Sequence, residues 1–485
     1  MSLSKLSRAI SLIVLALAVQ VSFAQDRVIN GKVSDASGAP LSGVSVVAKG
    51  STLGTQTDAA GQFRLSVSAS VNALMISSVG FETREVAIQG TTLNVTLAAA
   101  AASMEDVVVV AYGTRRKTDL TGSVVAVGAK DFQKGNINSA EQLLVGKVAG
   151  LSVTTGGGSA GGGSRLRIRG GASLNASNDP LLVIDGVPVD GNGISGSANL
   201  LNTINPNDIE SMTILKDASA TALYGSRASN GVIIVTTKKG GKGALRFNFN
   251  NVTSVGMIAD YVDVLSANEI RGIINRDATA TGNNTYKAML GTANTDWQKE
   301  IYQAAIGVDN TISASGSLGN IPFRASVGYL NQNGILKTNN FSRISTAINL
   351  SPKLLNDDLS VNISVKASQT QNRFANEGAI GNAVTFDPTQ PVLSGNRNWG
   401  GYYEWIAGGL PNDLSNRNPV GLLMLRDNRS TVNRMIGNAQ FEYTLPFLRD
   451  LKLQANLGMD FASGSGNDNT DSVSATAFRD GGRKR

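Results

Sequence analysis

The amino-acid sequence predicts a mainly β protein with three parts in order: a small β-sandwich, a mixed α+β unit, and part of an antiparallel β-barrel. Short β-rich runs alternate with turn clusters between residues 27 and 98, as in a sandwich. After residue 243, segments of about ten residues alternate between apolar and polar side chains, which is typical of membrane-spanning barrel strands. Glycine is abundant, with 54 residues, and only 16% of the chain is charged, which suits a turn-rich exported β protein.

The composition excludes several classes of chemistry. The 485 residues include no Cys and no His. Disulfides, thiolate metal sites, Cys nucleophiles, Ser-His-Asp hydrolysis and His-ligated zinc are therefore excluded. The net charge of +7 is a mild excess and does not indicate a nucleic-acid binder. We expect no enzyme, no cofactor, and no catalytic or metal-binding residues.

The first 24 residues have the pattern of a secretory signal peptide. Lys5 and Arg8 form a positive n-region, residues 9–21 are mostly apolar, and residues 22–24 offer a small-x-small cleavage site before Gln25. The alternative is a membrane anchor, which would need about 20 apolar residues. Because the apolar stretch is shorter than that, we expect export and a mature chain that begins at Gln25.

Residues 25–98 are assigned to the sandwich because β-forming runs recur there between turns. The expected strands are 28–33, 44–47, 63–67, 74–76, 85–88 and 93–97. The stretch GKVSDASGAPLSGVSVVAKGSTLGTQTDAAGQFRL resembles the carboxypeptidase-regulatory-like domain, a transthyretin-like sandwich. Despite that family name no peptidase activity follows, because a zinc peptidase site needs His ligands.

Residues 99–117 form a linker around a strand-forming box. The box consists of Glu105, Asp106, Val107, Val108, Val109 and Val110. Four consecutive valines have a strong β preference, and an isolated strand-former after a small-residue spacer indicates pairing with the sheet edge of a partner. The alternative is one more strand of a neighbouring domain.

Residues 118–243 combine short helices and strands. Ser139 and Gln142 have the spacing of a capping box, which predicts a short helix that ends at Gly150. Strands are expected at 151–153, 166–170, 181–186, 209–215 and 232–237, and a second short helix at 217–223.

Three arginines of this unit would share one strand face, because side chains alternate along a strand. They are Arg165, Arg167 and Arg169. The face is either solvated or needs carboxylate partners. The candidate partners are Asp185, Asp190 and Glu210.

A glycine-rich run at residues 156–163 satisfies G-x-G-x-x-G through Gly156, Gly158 and Gly161. A dinucleotide-binding fingerprint needs a helix directly afterwards, but SRLRIRGG alternates like a strand, and no Lys-Ser/Thr pair follows as in a P-loop. We therefore expect a flexible loop or close backbone packing rather than nucleotide binding.

Residues 244–485 contain seven alternating segments, at 245–250, 311–318, 323–329, 343–350, 359–368, 440–445 and 451–461. Short connections (319–320, 351–357, 446–450) alternate with a medium one (333–340) and two long ones (257–308, 370–432). Short periplasmic turns and longer outer loops are the rule for membrane barrels, whereas any single segment could also be a sandwich strand. Seven strands cannot close a bacterial barrel, so we expect an incomplete barrel from a fragment or a truncated gene product.

Several motifs resemble one family. VVVVAYGTRRKTDLTGSV, VAGLSV, RIRGGASL, DPLLVIDGVPV and INPNDIESMTILKDASATALYGSRASNGVIIVTTKKG are similar, in order and spacing, to the plug of SusC/RagA-type TonB-dependent outer-membrane transporters. Ala111 departs from the Gly that the family more often carries there. The resemblance implies a plug domain at 118–243 inside a barrel of about 22 strands.

The resemblance also implies a function: energised import of large nutrients, oligosaccharides or peptides, across the cell outer membrane. The implied partners are TonB with its inner-membrane energising complex, a SusD-like lipoprotein, outer-membrane lipid, and the glycan or peptide substrate. TonB would pull on residues 105–110 from the periplasm and displace the plug. The alternative is an exported β-sandwich adhesion or structural protein, which would need neither the box nor lipid-facing strands.

Aromatic residues in the long outer connections are candidate substrate contacts. They are Trp399, Tyr402, Tyr403 and Trp405, with Trp297 in the preceding long connection. Such rings could stack on sugars, lie in the interfacial aromatic girdle of a barrel, or pack a loop core.

Overall fold

The computed structural model describes residues 27–485 except 36–37, 52, 69–70, 79–80, 89, 99–106, 111–112, 117–123, 134, 136, 138, 172, 176, 190–195, 197–199, 217–220 and 396. The signal peptide, Glu105, Asp106, Asp190 and the start of the helix expected at 217–223 thus lie outside the described residues. The chain divides into two compact units, residues 1–106 and 107–485, each described by itself.

The first unit is a β-sandwich. Its strands are β1 (Arg27–Asp35), β2 (Ser45–Ala48), β3 (Gly54–Gln56), β4 (Gln62–Val67), β5 (Ala73–Ser77), β6 (Arg84–Ala87) and β7 (Thr92–Leu97). They form the sheets β4-β1-β7 and β3-β2-β5-β6. Exposed and buried residues alternate along β4 and β7, so each sheet has one inner face. Ile29, Phe63 and Leu74 belong to the core between the two faces.

The second unit begins with a hairpin and a mixed sheet. Its strands are β8 (Val107–Val110), β9 (Gly113–Arg116), β10 (Val124–Gly128), β11 (Leu151–Thr154), β12 (Arg165–Ile168), β13 (Leu181–Ile184), β14 (Val187–Val189), β15 (Ile209–Leu215) and β16 (Val232–Thr237). The sheet order is β10-β15-β16-β13-β14, with β13 and β16 parallel. We call residues 124–240 the inner unit. Its 3-10 helices are Ala140–Leu144, Leu200–Thr203, Pro206–Asp208 and Ala222–Ala228.

The capping box expected at Ser139 does not form. A single 3-10 turn, Ala140–Leu144, stands where a longer helix was expected, and the Ser139 side chain makes no capping hydrogen bond. Glu141, which belongs to this turn, is fully buried.

A large antiparallel sheet, which we call the wall, follows. Its strands are β17 (Arg246–Gly256), β18 (Ala305–Leu318), β19 (Ile321–Asn333), β20 (Asn340–Leu350), β21 (Lys353–Leu354), β22 (Leu359–Phe374), β25 (Arg426–Thr444), β26 (Lys452–Thr470) and β27 (Arg483–Lys484), with a separate small hairpin of β23 (Ile406–Ala407) and β24 (Leu410–Pro411). The seven long strands lie at the seven alternating segments of the sequence. Phe247, Ile312 and Leu457 are more than half exposed, as expected for one apolar outward face.

The long connections of the wall carry helices. These are α1 (Ala267–Thr281), α2 (Trp297–Ile301), α3 (Gly378–Thr385) and α4 (Pro419–Met424), with 3-10 helices at Lys287–Met289, Asn398–Gly401 and Phe478–Asp480. α1 starts at a complete capping box between Ser266 and Glu269. In the described part of the chain, no helix is long and apolar enough to cross a membrane.

An apolar cluster joins these connections, and we call it the outer-loop core. It consists of Trp297, Ile301, Leu336, Ala379, Ala383, Phe386, Val420 and Leu423. The first two come from the connection before β18, Leu336 comes from the β19–β20 hairpin, and the rest come from the connection between β22 and β25. Two long loops and one short hairpin therefore share a single core.

Candidate functional site

The inner unit is attached to the inward face of the wall by a buried ion pair at Asp208. The Asp208 Oδ1 lies 2.8 Å from the Nη1 of Arg324 and accepts a hydrogen bond of 2.8 Å from the Ser326 hydroxyl. The Asp208 side chain is 6% exposed and that of Arg324 10%. Asp208 ends a 3-10 turn whose start is capped by Asn205, and this fixes the direction of its carboxylate.

Asp185 makes a second buried link to the wall. It lies in the turn between β13 and β14 and accepts hydrogen bonds from the Thr237 backbone N–H at 2.8 Å and the Thr237 hydroxyl at 2.6 Å. Its other partner is the ammonium group of Lys366 on β22. One carboxylate thus connects two strands of the inner unit to the wall.

Asp185 was a candidate partner of the three arginines, and the structure corrects this assignment. Arg167 lies 4.0 Å from Asp179, and Arg169 donates to the carbonyl of Lys216. Arg165 is exposed. Among the described residues, the strand that carries these arginines is hydrogen-bonded to β11 and lies outside the sheet that contains β13 and β14.

Further hydrogen bonds join the two parts, and donors come from both the wall and the inner unit. The guanidinium of Arg343, 1% exposed, donates to the carbonyls of Asn202 at 3.1 Å and Ile204 at 2.9 Å. The Ser430 hydroxyl donates to the carbonyl of Gly196 at 2.6 Å. Strand alternation places these side chains on the polar lumen face, and that parity is the sequence signal that could have identified them as contacts.

The glycine-rich run packs closely against the hairpin at residues 334–339. The Ile335 N–H donates to the Gly158 carbonyl at 2.9 Å, and the Ala160 N–H donates to the side chain of Asn339 at 2.5 Å. A Cβ atom added at Gly158 would lie 2.5 Å from the side chain of Ile335. At Gly161, with φ of 61°, it would lie 2.5 Å from the ring of Phe341. Close backbone approach to the wall therefore explains the glycines.

The strand-forming box is extended in the structure. Val107 to Val110 form β8, which pairs antiparallel with β9 from Val107 opposite Arg116 to Val110 opposite Gly113. This pairing within the chain occupies one edge of β8. Among the described residues, no strand pairs with its other edge.

The candidate aromatic residues pack mainly against other loop residues. The rings of Tyr403 and Trp405 meet edge to face at 5.5 Å and contact the outer-loop core. Trp399 packs on Phe478 at 4.8 Å. Tyr402 lies beside Gly421, where an added Cβ would be 3.2 Å from its ring.

Trp297 is also a core residue, and its ring is not exposed for stacking on a ligand. It is 3% exposed, its indole N–H donates to the Asp387 carbonyl at 2.9 Å, and its ring meets Phe386 at 4.7 Å. All three tryptophans of the chain thus lie in the outer connections, so tryptophan fluorescence monitors the folding of this region.

A cavity of about 1060 Å³ opens beside this core. Trp405, Tyr261 and Phe386 line it together with polar groups that include Asn268 and Asn416. Of the four aromatic candidates, Trp405 is the one that lines this cavity. The mixture of ring faces and amides can accept a molecule that has both apolar faces and hydroxyl or amide groups.

A buried carboxylate lies at the edge of the same loops. Glu404 has a side chain that is 5% exposed, accepts a hydrogen bond from the Asn418 N–H at 3.1 Å, and lies 3.8 Å from Arg417. Burial raises the pKa of Glu404 to about 7, although the Asn418 hydrogen bond and the charge of Arg417 lower it. Asn418 in turn caps α4 through the N–H groups of Val420 and Gly421, each at 3.0 Å. A group that titrates near neutral pH therefore supports the start of α4.

No metal site is found in the described ranges, where no group of three or more acidic side chains is placed to hold an ion. The structure brings together three sets of packing and hydrogen-bonding contacts. They are a polar interface between the inner unit and the wall, a glycine contact at its top, and an aromatic loop core with a cavity beside it.

Comparisons with known proteins agree with this architecture. The model of the TonB-dependent receptor plug domain matches residues 116–232, and that of the CarboxypepD_reg-like domain matches residues 29–109. The TonB-dependent receptor SusC of Bacteroides thetaiotaomicron is 42% identical over 461 residues, which are 92% of this chain and 45% of that protein. The TonB-dependent receptor P26 of Formosa agariphila is 35% identical over 86% of this chain and 41% of its own length.

Solved structures give the same picture. The structure of the RagAB peptide transporter matches with a TM-score of 0.60 and 25% identity, over 72% of this chain and 42% of that chain. This chain therefore spans less than half the length of the relatives it matches. These relatives are receptors or transporters rather than enzymes.

Proposed function

Because this chain belongs to the SusC/RagA family of TonB-dependent receptors, we propose that it acts in the TonB-dependent import of large nutrients, oligosaccharides or peptides, across the cell outer membrane. Peptides remain within this proposal because the RagAB relative is a peptide transporter. A SusD-like lipoprotein would cover the long-loop end and deliver the substrate to it.

The proposed layout follows the sequence. A signal peptide at 1–24 precedes a periplasmic sandwich at 25–98, a linker with the TonB-binding box at 99–117, the plug at 118–243, and barrel strands at 244–485. The family models that match at 29–109 and 116–232 support the assignments of the sandwich and of the plug.

One observation carries the transport proposal: buried ion pairs and hydrogen bonds hold the inner unit to the wall, beside smaller apolar contacts at Ile436 and Phe341. Asp185 and Asp208 supply the carboxylates, and Lys366 and Arg324 supply the cations. Water can replace polar contacts of this kind with a small net change in free energy, about 0.5–1.5 kcal/mol for an ordinary hydrogen bond. A plug attached in this way can leave the wall under force and return.

The force would enter through the box. The proposed TonB-binding residues are Glu105, Asp106, Val107, Val108, Val109 and Val110. The open edge of β8 supports this role, because an extended segment with a free edge can add to the sheet of another protein through its backbone.

The proposed substrate contacts are in the outer loops. They are Trp399, Tyr402, Tyr403 and Trp405. Trp405 has the strongest support, because it lines the cavity of about 1060 Å³. The other three side chains pack against loop residues, so they would support the cavity wall as well as contact the substrate.

The experiment compares two substitutions at Val108 in the parent transporter. Val108→Pro removes a backbone N–H and fixes φ, so uptake should fail while outer-membrane insertion and substrate binding from outside persist. Val108→Thr keeps the β-branch and should leave uptake unchanged. Equal uptake by the Pro variant and the parent would show that the box is an ordinary connector.

A further inference from the structure

The outward face of the wall changes from apolar to amide-rich along the strands. On β26 the outward residues are Leu453, Ala455, Leu457, Met459 and Phe461, followed by Ser463, Ser465 and Asn467. The apolar part extends about 26 Å along the strand, or roughly 20 Å in height at a normal tilt, close to the apolar band of about 25 Å in membrane barrels. The change therefore marks the upper boundary of the hydrocarbon.

On β22 and β25 the outward residues change in the same way, and amides of neighbouring strands bond to one another. Gln369 donates to Asn433 at 2.8 Å, and Asn340 donates to Asn331 at 2.9 Å. We call this band the amide rim. It lies at the long-loop end of the wall, because the short turns connect the opposite ends of the strands.

A cavity of about 580 Å³ lies at the amide rim. The outward residues that line it are Asn333, Asn340, Gln371, Arg373, Arg429 and Thr431. Asn333, Asn340, Arg373 and Arg429 are direct cross-strand neighbours in a single row. Their neighbour Phe341 faces the inner unit, so the row faces away from it.

The cavity carries excess positive charge. Arg373 and Arg429 both lie next to Asp427, at 3.1 Å and 2.8 Å, so two cations share one carboxylate. The other lining groups in the described part of the chain are amides and hydroxyls, with no aliphatic or aromatic side chain among them. Such a surface recognises a ligand that has hydroxyl groups and a negative charge.

We propose that this rim cavity binds the phosphorylated sugar head group of an outer-leaflet glycolipid. The cavity lies on the outward face above the apolar band, at the level of the lipid head groups. The ligand is therefore expected to come from the membrane. A transported molecule would pass along the other face, which holds the inner unit. The inference rests on the proposed function insofar as it takes the wall to lie in an outer membrane.

The test uses the full chain in detergent and three probes: a diphosphorylated, acylated glucosamine disaccharide, the same disaccharide without acyl chains, and inorganic phosphate. Native mass spectrometry measures the bound fraction. Arg373→Gln with Arg429→Gln should lower retention of the acylated probe about fivefold or more. Lys452→Gln is the matched control, since Lys452 pairs with Glu442 at 2.8 Å on the opposite end of the same wall, and it should retain the glycolipid.

Unchanged retention in the double variant would overturn the proposal. Equal binding of the deacylated disaccharide or of inorganic phosphate would also overturn it, since the site would then take a soluble anion. TonB-dependent uptake by the double variant should stay within about twofold of the parent, and a loss of uptake with glycolipid still bound would assign the cavity to transport instead. A failure of the Val108→Pro test would refute the proposed TonB coupling through the box and leave the glycolipid result standing.

Discussion

The interface between the inner unit and the wall differs in kind from the outer-loop core. The interface is built from ion pairs and hydrogen bonds such as Asp208 with Arg324, whereas the core is built from buried rings and aliphatic side chains such as Trp297 and Phe386. Opening an apolar core costs about 25 cal/mol for each Å² exposed to water, whereas polar groups regain hydrogen bonds in water. The inner unit is therefore held mainly by polar contacts, whereas the outer loops are joined mainly by apolar ones.

The largest effect is expected from removing one charge of the polar interface. Asp208→Ala leaves Arg324 buried without its carboxylate, which should destabilise attachment of the inner unit by about 3–5 kcal/mol. Proteolysis of the inner unit in detergent-solubilised protein should therefore become faster. The tryptophan fluorescence transition should not move, because the three tryptophans lie in the outer loops.

A compensating variant sharpens this prediction. Asp208→Leu combined with Arg324→Met removes both charges and should recover most of the protease resistance, because no unpaired charge remains. If Asp208→Ala alone left proteolysis unchanged, the ion pair would not hold the inner unit in place.

A substitution in the outer-loop core should have the opposite pair of effects on fluorescence and on proteolysis. Phe386→Ala creates a cavity beside Trp297 and should lower the stability of the outer-loop core by about 3 kcal/mol. The midpoint of the tryptophan fluorescence transition in urea should fall, while protease resistance of the inner unit persists. Phe447→Ala is the control, since this ring is 84% exposed in a short turn. Loss of both signals together would mean that the two regions unfold as one.

The smallest effect is expected from the buried carboxyl group of Glu404, beside the outer-loop core. The pKa of Glu404 is about 7 in the folded loop against an ordinary 4.5, so folding takes up a proton between these values. Stability of the outer-loop core should therefore be greatest below about pH 4.5 and fall as the pH rises through 7, by roughly 2–3 kcal/mol between pH 5 and pH 8. Tryptophan fluorescence unfolding at pH 5 and pH 8 measures this fall. Glu404→Gln should remove most of it, and an unchanged pH dependence in that variant would assign it to other groups.

The strands of the wall were largely predictable, and their ends were not. Alternation located all seven long strands, yet β22 continues to Phe374 and β25 begins at Arg426, beyond the alternating segments. The reason is physical: above the hydrocarbon the outward residues are amides such as Gln371 and Asn433, so both faces are polar and the alternation disappears. The alternation in the sequence therefore marks the part of each strand with an apolar outward face, and it does not give the full length of the strand.

The site was less predictable because its contacts join distant parts of the chain. Asp185 and Lys366 are separated by 181 residues, and only the fold shows that they meet. Helix α1 had a readable signal in the capping box from Ser266 to Glu269, which lay inside a segment interpreted only as a long connection. The TonB-binding box and the aromatic substrate contacts remain predictions.

The shared outer-loop core has a consequence for how these proteins diversify. Trp297 and Ile301 come from one long loop, Phe386 and Leu423 come from another, and Leu336 joins them from a short hairpin. A recombination event that replaced one loop alone would leave half of a core facing water. A chimaera between relatives should therefore transfer residues 257–304 and 375–425 as one module with the hairpin at 334–339.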